Sequence, residues 1–527
     1  MVDFDNKWQK IEEWQKRLSA YRMALTLTGV DAQNAPAEGA AFRSERRAVL
    51  AGEYQRVRAD DAIYEILREF DADKDNLPDE VTRRTTELLL REMNRERAVP
   101  PETTEEYVRI LECSIKAWPK AKAGDDFKGF APCLADVFEK YKEITLLESE
   151  SPDSVPKLSN SAFESPDSDS DGQSLTAYDR MLRNHQEGWD SRRYDRFFDG
   201  IRKNIPPLLG RIQEIQKYET QHPDKSEAGR VPASRVCPVE VQRRILPQIN
   251  EYLGFSDSWG RMSESEHPLT TPLSAGDVRF TTKFREKDFA LAVLSTVHEV
   301  GHAYHAHGID PAFDGTILAN AVSAGLCESQ SRICENHLGR SETFWETILP
   351  LYRDICPEQD AAAFVKQLNR VFPTAIRIEA DEVTYPLHIL IRYELEKEIF
   401  DGGLMIIDLE EAWNEKYRHY LGISPENAAE GVLQDMHWPW GYFGYFPTYA
   451  LGSAFAAQIY AAMNRKINVP ELIRGHRYPE IMAWLKENVH RYGALYSAEE
   501  IIRKATGEDF DEQYYFAYLF DKYAGMR

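Results

Sequence analysis

The stretch His298-Glu299-Val300-Gly301-His302 gathers two imidazoles and a carboxylate. It lies inside the apolar run from Phe289 to Tyr304, which contains no proline and has helical spacing. On a helix, residues four apart share a face. His298 and His302 can therefore offer nitrogens to one metal ion. Glu299 stands beside them, placed to take a proton from a water that the metal polarises. This is the H-E-x-x-H pattern of zinc peptidases. The competing reading is a helix with two incidental histidines and an exposed glutamate, and the motif is short enough that a third ligand must decide.

A catalytic zinc takes three protein ligands and keeps one position open. The metzincin extension needs glycine at 305 and histidine at 308, whereas the chain has His305 and Gly308. His305 and His307 continue the same helix, either as ligands or as its water-facing end. Glu328 is a further candidate, within Cys327-Glu328-Ser329-Gln330-Ser331-Arg332-Ile333-Cys334-Glu335-Asn336. Glu335 shares its helical face. Spacing alone leaves these choices open.

Helices must carry these groups. Helical patterns run over Trp8–Leu27, Ala40–Phe70, Pro78–Ala98, Thr103–Ala117, Phe130–Leu147, Ala177–Thr220 and Cys237–Gly254. Beyond the motif they cover Ala319–His337, Ala361–Leu368, Glu382–Phe400 and Leu409–Tyr420, with terminal helices after the aromatic, glycine-rich 431–452. Gly308 reads as the cap that closes the histidine helix. One strand is expected, from Asp277 through Phe284, alternating and rich in β-branched and aromatic residues. Its backbone could pair with an extended peptide. Residues 148–174 are acidic and rich in serine and proline, which reads as a disordered insertion.

The whole chain bounds the function. Its 527 residues are 43% hydrophobic and 11% aromatic, enough for a large core. The net charge of −23 disfavours a nucleic-acid surface. There is no apolar run long enough for a membrane span. The first residues, Met-Val-Asp-Phe-Asp-Asn-Lys-Trp, hold no signal-like apolar core. The six cysteines include no C-x-x-C pair and do not form a disulfide framework. Free thiols in a reducing, cytoplasmic setting are expected.

With Glu328 in its Cys327-Glu328-Ser329-Gln330 setting, the chain resembles the carboxypeptidase Taq family of metallocarboxypeptidases. The family's short motifs occur in order. H-P-F is altered to His267-Pro268-Leu269, and D-x-R-x-T is intact as Asp277, Arg279 and Thr281. H-E-x-x-H follows, and then H-E-S-Q, altered to Cys327-Glu328-Ser329-Gln330. I-R-x-x-A-D is intact as Ile376, Arg377, Ala380 and Asp381. G-x-x-Q-D-x-H-W is intact as Gly431, Gln434, Asp435, His437 and Trp438. The match is specific over 265–455 and weaker through the N-terminal half. There the family's Trp-Asp-Gln segment stands as Val30-Asp31-Ala32-Gln33.

The resemblance implies one mainly α unit over 1–527, with a catalytic core at 265–455. Its fold would be that of a helical zincin, two helical halves flanking a long cleft with a small β-sheet near the metal. It also implies homodimers that remove residues from peptide C-termini with broad specificity. One divalent metal per chain is expected, Zn2+ first and Co2+ as an alternative, held by His298, His302 and Glu328. Glu299 would be the general base. His437 and, among Tyr442, Tyr445 and Tyr449, first Tyr445 would donate to the oxyanion. Tyr449 falls on the substrate side. A free α-carboxylate suits an arginine fork. Arg377 is the first choice and Arg279, with Asp277 of its motif, the second. An ion pair with Asp381 is the competing role for Arg377. Cys327 in place of the family's histidine predicts a lost hydrogen bond beside the ligand, with reduced activity or a shifted metal preference. Two other functions compete. One is an endo-oligopeptidase of similar fold, for which blocking the peptide C-terminus would not matter. The other is a degenerate, non-catalytic metal- or peptide-binding protein, against which the retained Glu299 speaks.

Overall fold

A computed structural model describes residues 2–32, 36–150, 175–221, 236–265, 268–355 and 360–525. The 151–174 part of the acidic insertion, His267 of the altered H-P-F motif, Gln33 and Cys356 lie outside the described residues.

The N-terminal part is helical: α1 (Val2–Ala32), α2 (Ala40–Arg58), α3 (Asp61–Ala72), α4 (Glu80–Ala98), α5 (Pro101–Gly124), α6 (Phe127–Glu150), α7 (Ala177–His185), α8 (Ser191–Gln221) and α9 (Val239–Tyr252). The expected helix over Ala40–Phe70 is two. Asp60 breaks it by accepting from the Ala62 and Ile63 amides, a local bond that starts a new helix. Strands β1 (Gly260–Glu264), β2 (Thr270–Ser274) and β3 (Asp277–Thr282) follow. Next come α10 (Phe289–Gly308), α11 (Ala324–Arg332), α12 (Glu342–Ile348), α13 (Ala361–Leu368), α14 (Tyr385–Lys397), α15 (Leu409–Leu421) and α16 (Pro447–Lys466). The chain ends with α17 (Val469–Arg474), α18 (Tyr478–Asn488), α19 (Ala498–Thr506) and α20 (Gln513–Tyr523).

The expected Ala319–His337 helix begins later, at Ala324, where the Ser323 hydroxyl caps the Leu326 amide. It runs on past Arg332 as a π-helical stretch, Ile333–Gly339. Helical residues 382–384 are likewise absent, because α14 starts at Tyr385 with Pro386 in its first turn. Gly308 is the last residue of α10 rather than a residue beyond it. A side chain there would meet the His490 ring at 2.6 Å, so close approach, not capping, explains the glycine.

The strand read from the sequence is the middle of a three-stranded sheet, β1-β3-β2, parallel to β1 and antiparallel to β2. Both its sides are occupied, so it offers no backbone to a peptide. Outer strand β2 carries Pro272 and shifts register between Pro272 and Ser274. Val278 and Phe280 turn inward and are fully buried, whereas Asp277 and Arg279 face the partly open side.

Apolar side chains form a large core around α10, α14 and α16. A smaller core lies under α1, α3 and α4 and reaches Ile309, Phe313 and Leu318 just beyond α10. A cavity of about 130 Å³ opens between α1 and β2, lined among others by Ser19, Arg22, Pro272 and Ser274. No described helix is long and apolar enough to cross a membrane.

Candidate metal centre

Helix α10 starts where the Asp288 carboxylate accepts the Leu291 amide. Phe289, Val293, Val297 and Val300 fill the core and fix the helix's rotation. His298 and His302 then face away together, their rings 4.9 Å apart at 77°. α11 lies against this helix and also against α16. The close approach is made by glycines. A Cβ at Gly301 would sit 2.7 Å from the Gln330 carbonyl oxygen, and one at Gly452 would sit 2.8 Å from the Glu328 Cβ. Thus Gly301, an unspecified position of the H-E-x-x-H motif, lets α11 bring Glu328 up to the histidines.

Nε2 of His302 and Oε2 of Glu328 are 3.6 Å apart. Donor atoms of His298, His302 and Glu328 all lie within 4.8 Å of one another. Ligands about 2.1 Å from a tetrahedral zinc are separated by about 3.4 Å, so a small contraction seats an ion. The orientation of the rings supports the fit. His298 Nδ1 pairs with Glu335 Oε2 at 2.9 Å, and His302 Nδ1 lies 3.4 Å from Cys327 Sγ. Each Nδ1 is occupied, which turns each Nε2 toward the shared point. Two imidazole nitrogens and a carboxylate oxygen are the chemistry of a catalytic zinc or similar divalent ion.

The contact to Cys327 corrects the expectation of a lost hydrogen bond. Sulfur fills the place beside His302. Although burial works against it, His302 and then His305 pull the thiol down to about 6. His305 itself is buried beside His490, rings 5.3 Å apart, and is not in the donor cluster. His307 stacks on Trp259 with centroids 4.0 Å apart and accounts for its Nδ1 at the Ala275 carbonyl. Burial opposes ionisation of Glu328 and Glu335. Arg332 nevertheless holds Glu328 well below the usual carboxylate range and Glu335 down to about 2.

Glu299 is 6% exposed and projects toward β2. There the Thr270 hydroxyl donates to its Oε2 at 2.6 Å, leaving Oε1 available. Sequence reading missed Thr270, which stands two residues after Pro268 of the altered H-P-F motif.

The aromatic segment closes over the other side. His437 Nε2 and the Tyr449 hydroxyl are 3.2 Å apart. Burial draws the His437 imidazole down to about 3, so it is neutral at pH 7. Burial, then the Glu328 and Cys327 charges, push the Tyr445 phenol well up, so it keeps its proton beside the donor cluster. Tyr442 is 46% exposed.

Arg377 is buried and committed. Nε and Nη2 donate to Asp435 Oδ1 at 3.1 and 2.8 Å, and Nη1 donates to the Tyr385 hydroxyl at 3.0 Å. Arg392, fully buried, also donates to Asp435, at 2.7 Å. The I-R-x-x-A-D and G-x-x-Q-D-x-H-W motifs therefore meet through Arg377 and Asp435. Asp381 is not the partner. It accepts instead from the Phe372, Val383 and Thr384 amides and the Thr384 hydroxyl. Arg279 pairs with Asp277 at 3.0 and 2.9 Å on β3, with 40% of its side chain exposed.

Glu396 of α14 anchors the turn that presents His437 and Tyr445. It accepts from Trp438 Nε1 at 2.6 Å, the Gly444 amide at 2.9 Å and the Tyr178 hydroxyl at 2.9 Å. Burial still pushes this carboxyl up from 4.5 to about 7. A raised folded pKa contributes stability that is full below the unfolded value and is lost as pH rises through the folded one. Relative to Glu396→Gln, the wild type should thus lose ~3 kcal/mol of stability between pH 4.5 and 7. Thermal unfolding of both proteins across that range checks this. A constant difference between them would contradict it.

Comparisons with known proteins identify the family. The family model described as carboxypeptidase Taq (M32) metallopeptidase matches residues 10–156 and 163–523. Carboxypeptidase 1 of Bacillus subtilis is 34% identical over 520 residues, 97% of each chain. Thermostable carboxypeptidase 1 of Pyrococcus furiosus is 36% identical over 84% of each. Among solved structures, metallocarboxypeptidase 1 of Trypanosoma cruzi superposes with a TM-score of 0.87 at 28% identity, covering 98% of this chain and 99% of that one. Matched over nearly its whole length and built on the same helical frame, the chain belongs to the carboxypeptidase Taq (M32) family and is a metal-dependent carboxypeptidase.

Proposed function

We propose that the protein removes single residues from peptide C-termini, with broad specificity, using one zinc ion held by His298, His302 and Glu328. The observation that carries this reading is the convergence of those donors while each Nδ1 is already partnered. The donor set suits zinc and also accommodates cobalt. Bound there, the ion would supply Lewis acidity to the scissile carbonyl and to the attacking water.

The protein's own groups do the rest. Glu299 takes a proton from the attacking water at Oε1, while Thr270 holds Oε2, and then passes the proton to the leaving amine. Tyr445 donates a hydrogen bond from its phenolic hydroxyl to the developing oxyanion, with neutral His437 beside it and Tyr449 keeping His437 in place. Arg377 is buried with each of its three nitrogens engaged by Asp435 or Tyr385, so its role is to hold Asp435 and, through it, the segment bearing His437. Arg279 is the arginine that can trade partners. It leaves Asp277 for the peptide's terminal carboxylate, its side chain being 40% exposed on the open face of the sheet.

Peptides with free and amidated C-termini test this assignment. Arg279→Ala should slow cleavage of free peptides by about ten- to a hundredfold, as expected for one charge-assisted pair, and leave amidated peptides, already poor substrates, nearly unchanged. Arg377→Ala should slow both alike. The opposite pattern would return the anchor to Arg377. Efficient cleavage of amidated peptides by the wild type would favour an endo-oligopeptidase.

A homodimer in the cytoplasm completes the reading. It is supported by the resemblance and, among the described residues, by the free thiols of Cys113, Cys133, Cys327 and Cys334. Light scattering on the purified protein checks the dimer.

A further inference from the structure

Arg332 is the last residue of α11, four after Glu328 and three before Glu335. Both spacings bring side chains together on a helix. Its Nε donates to Glu328 Oε1 at 2.7 Å, and its Nη1 reaches Glu335 Oε2 at 3.3 Å. That same Glu335 oxygen is the partner of His298 Nδ1. The guanidinium lies over the Tyr385 ring at 4.5 Å, and its side chain is 12% exposed. Tyr385 in turn accepts from Arg377. The fork is therefore fixed from two sides and cannot swing into solvent.

A carboxylate can offer a metal one oxygen or both. With Oε1 of Glu328 engaged by a charge-assisted bond, Oε2 alone is free, and it is the oxygen that lies 3.6 Å from His302 Nε2. A second oxygen on the ion would fill the position that a hydrolytic site keeps open for water. We infer that Arg332 is a positioning residue that restricts Glu328 to one-oxygen ligation and, through Glu335, turns His298 Nε2 toward the metal, so that one guanidinium orients two of the three ligands. The inference rests on the assignment of His298, His302 and Glu328 as the ligand set. It differs from simple charge neutralisation of two buried acids. Lysine would supply the charge, but only a planar fork bonds both carboxylates in fixed directions.

The visible spectrum of the cobalt-loaded full-length protein reads ligation directly, because four-coordinate cobalt absorbs far more strongly than five-coordinate cobalt. Competition with a chromophoric chelator gives the affinity. The wild type should show the intense bands. Arg332→Met should show weaker bands and bind cobalt about ten- to a hundredfold less tightly, the usual cost of losing a residue that orients ligands. Arg332→Lys, which keeps the charge and serves if the methionine variant does not fold, should also depart from the wild-type spectrum. A wild-type spectrum in Arg332→Lys would mean that charge suffices, and one in Arg332→Met that the residue does not set ligation. Either result overturns the inference. Cobalt binding that survives His298→Ala and His302→Ala would instead overturn the ligand assignment beneath it.

Discussion

Glu299→Gln should bind one divalent ion per chain as the wild type does, yet cleave peptides about a hundred- to ten-thousandfold more slowly. The change is isosteric. The amide oxygen still accepts from Thr270, so the tie between α10 and β2 survives. His298, His302, Glu328 and their partners Glu335 and Cys327 are untouched. Only proton acceptance at the reacting water is removed. Metal analysis and kcat on the same preparation check both halves. A variant with near-normal turnover would remove Glu299 from the mechanism. One that loses its metal would make Glu299 part of the site's framework.

Glu328→Ala should strip the metal, whereas Glu335→Ala should weaken its binding by about ten- to a hundredfold and leave it measurable. The two carboxylates are seven positions apart on one continuous helical stretch and share Arg332 as neighbour. Their charges alone do not tell them apart. Geometry does. Glu328 Oε2 faces His302 Nε2, the nitrogen free to ligate, while Glu335 Oε2 faces His298 Nδ1, the nitrogen turned away. Glu328→Ala removes a ligand, and Glu335→Ala removes only what orients one. Both variants leave Arg332 with one carboxylate, so their unfolding temperatures should fall by similar amounts. Metal titration then separates them cleanly. Retention by Glu328→Ala together with loss by Glu335→Ala would reverse the ligand assignment.

Cys327 and Arg377 show where reading side chains by type falls short. A thiol in place of an imidazole suggests a gap beside the ligand. Whether a gap exists depends on how close α11 comes to α10, and the glycine contact at Gly301 brings Sγ within reach of His302. An arginine four residues before an aspartate suggests a local pair. Arg377 pairs instead with Asp435, a residue remote in the chain, because the turn from Ile376 to Ala380 directs its guanidinium toward the segment after α15.

The sequence by itself determined the helical class and a histidine pair on one helical face with Glu299 beside it, and the resemblance then singled out Glu299 as base and Glu328 as third ligand. These rest on short-range regularities: four-residue spacing on a proline-free apolar helix, and motifs of a few residues each. Two strands escaped it, since Gly260–Glu264 and Thr270–Ser274 are only five residues each, the second interrupted by Pro272, and they pair only with β3. Tertiary structure alone decided which of two equivalent glutamates meets an Nε2 and which an Nδ1. It alone also decided that Thr270 holds Glu299, that Asp435 rather than Asp381 receives Arg377, and that Arg332 spans two carboxylates. The physical reason is common to all of these. Hydrogen bonds are directional and act over about 3 Å, so the partner of a polar group is set by how closely backbones approach, and that depends on packing between segments far apart in the chain.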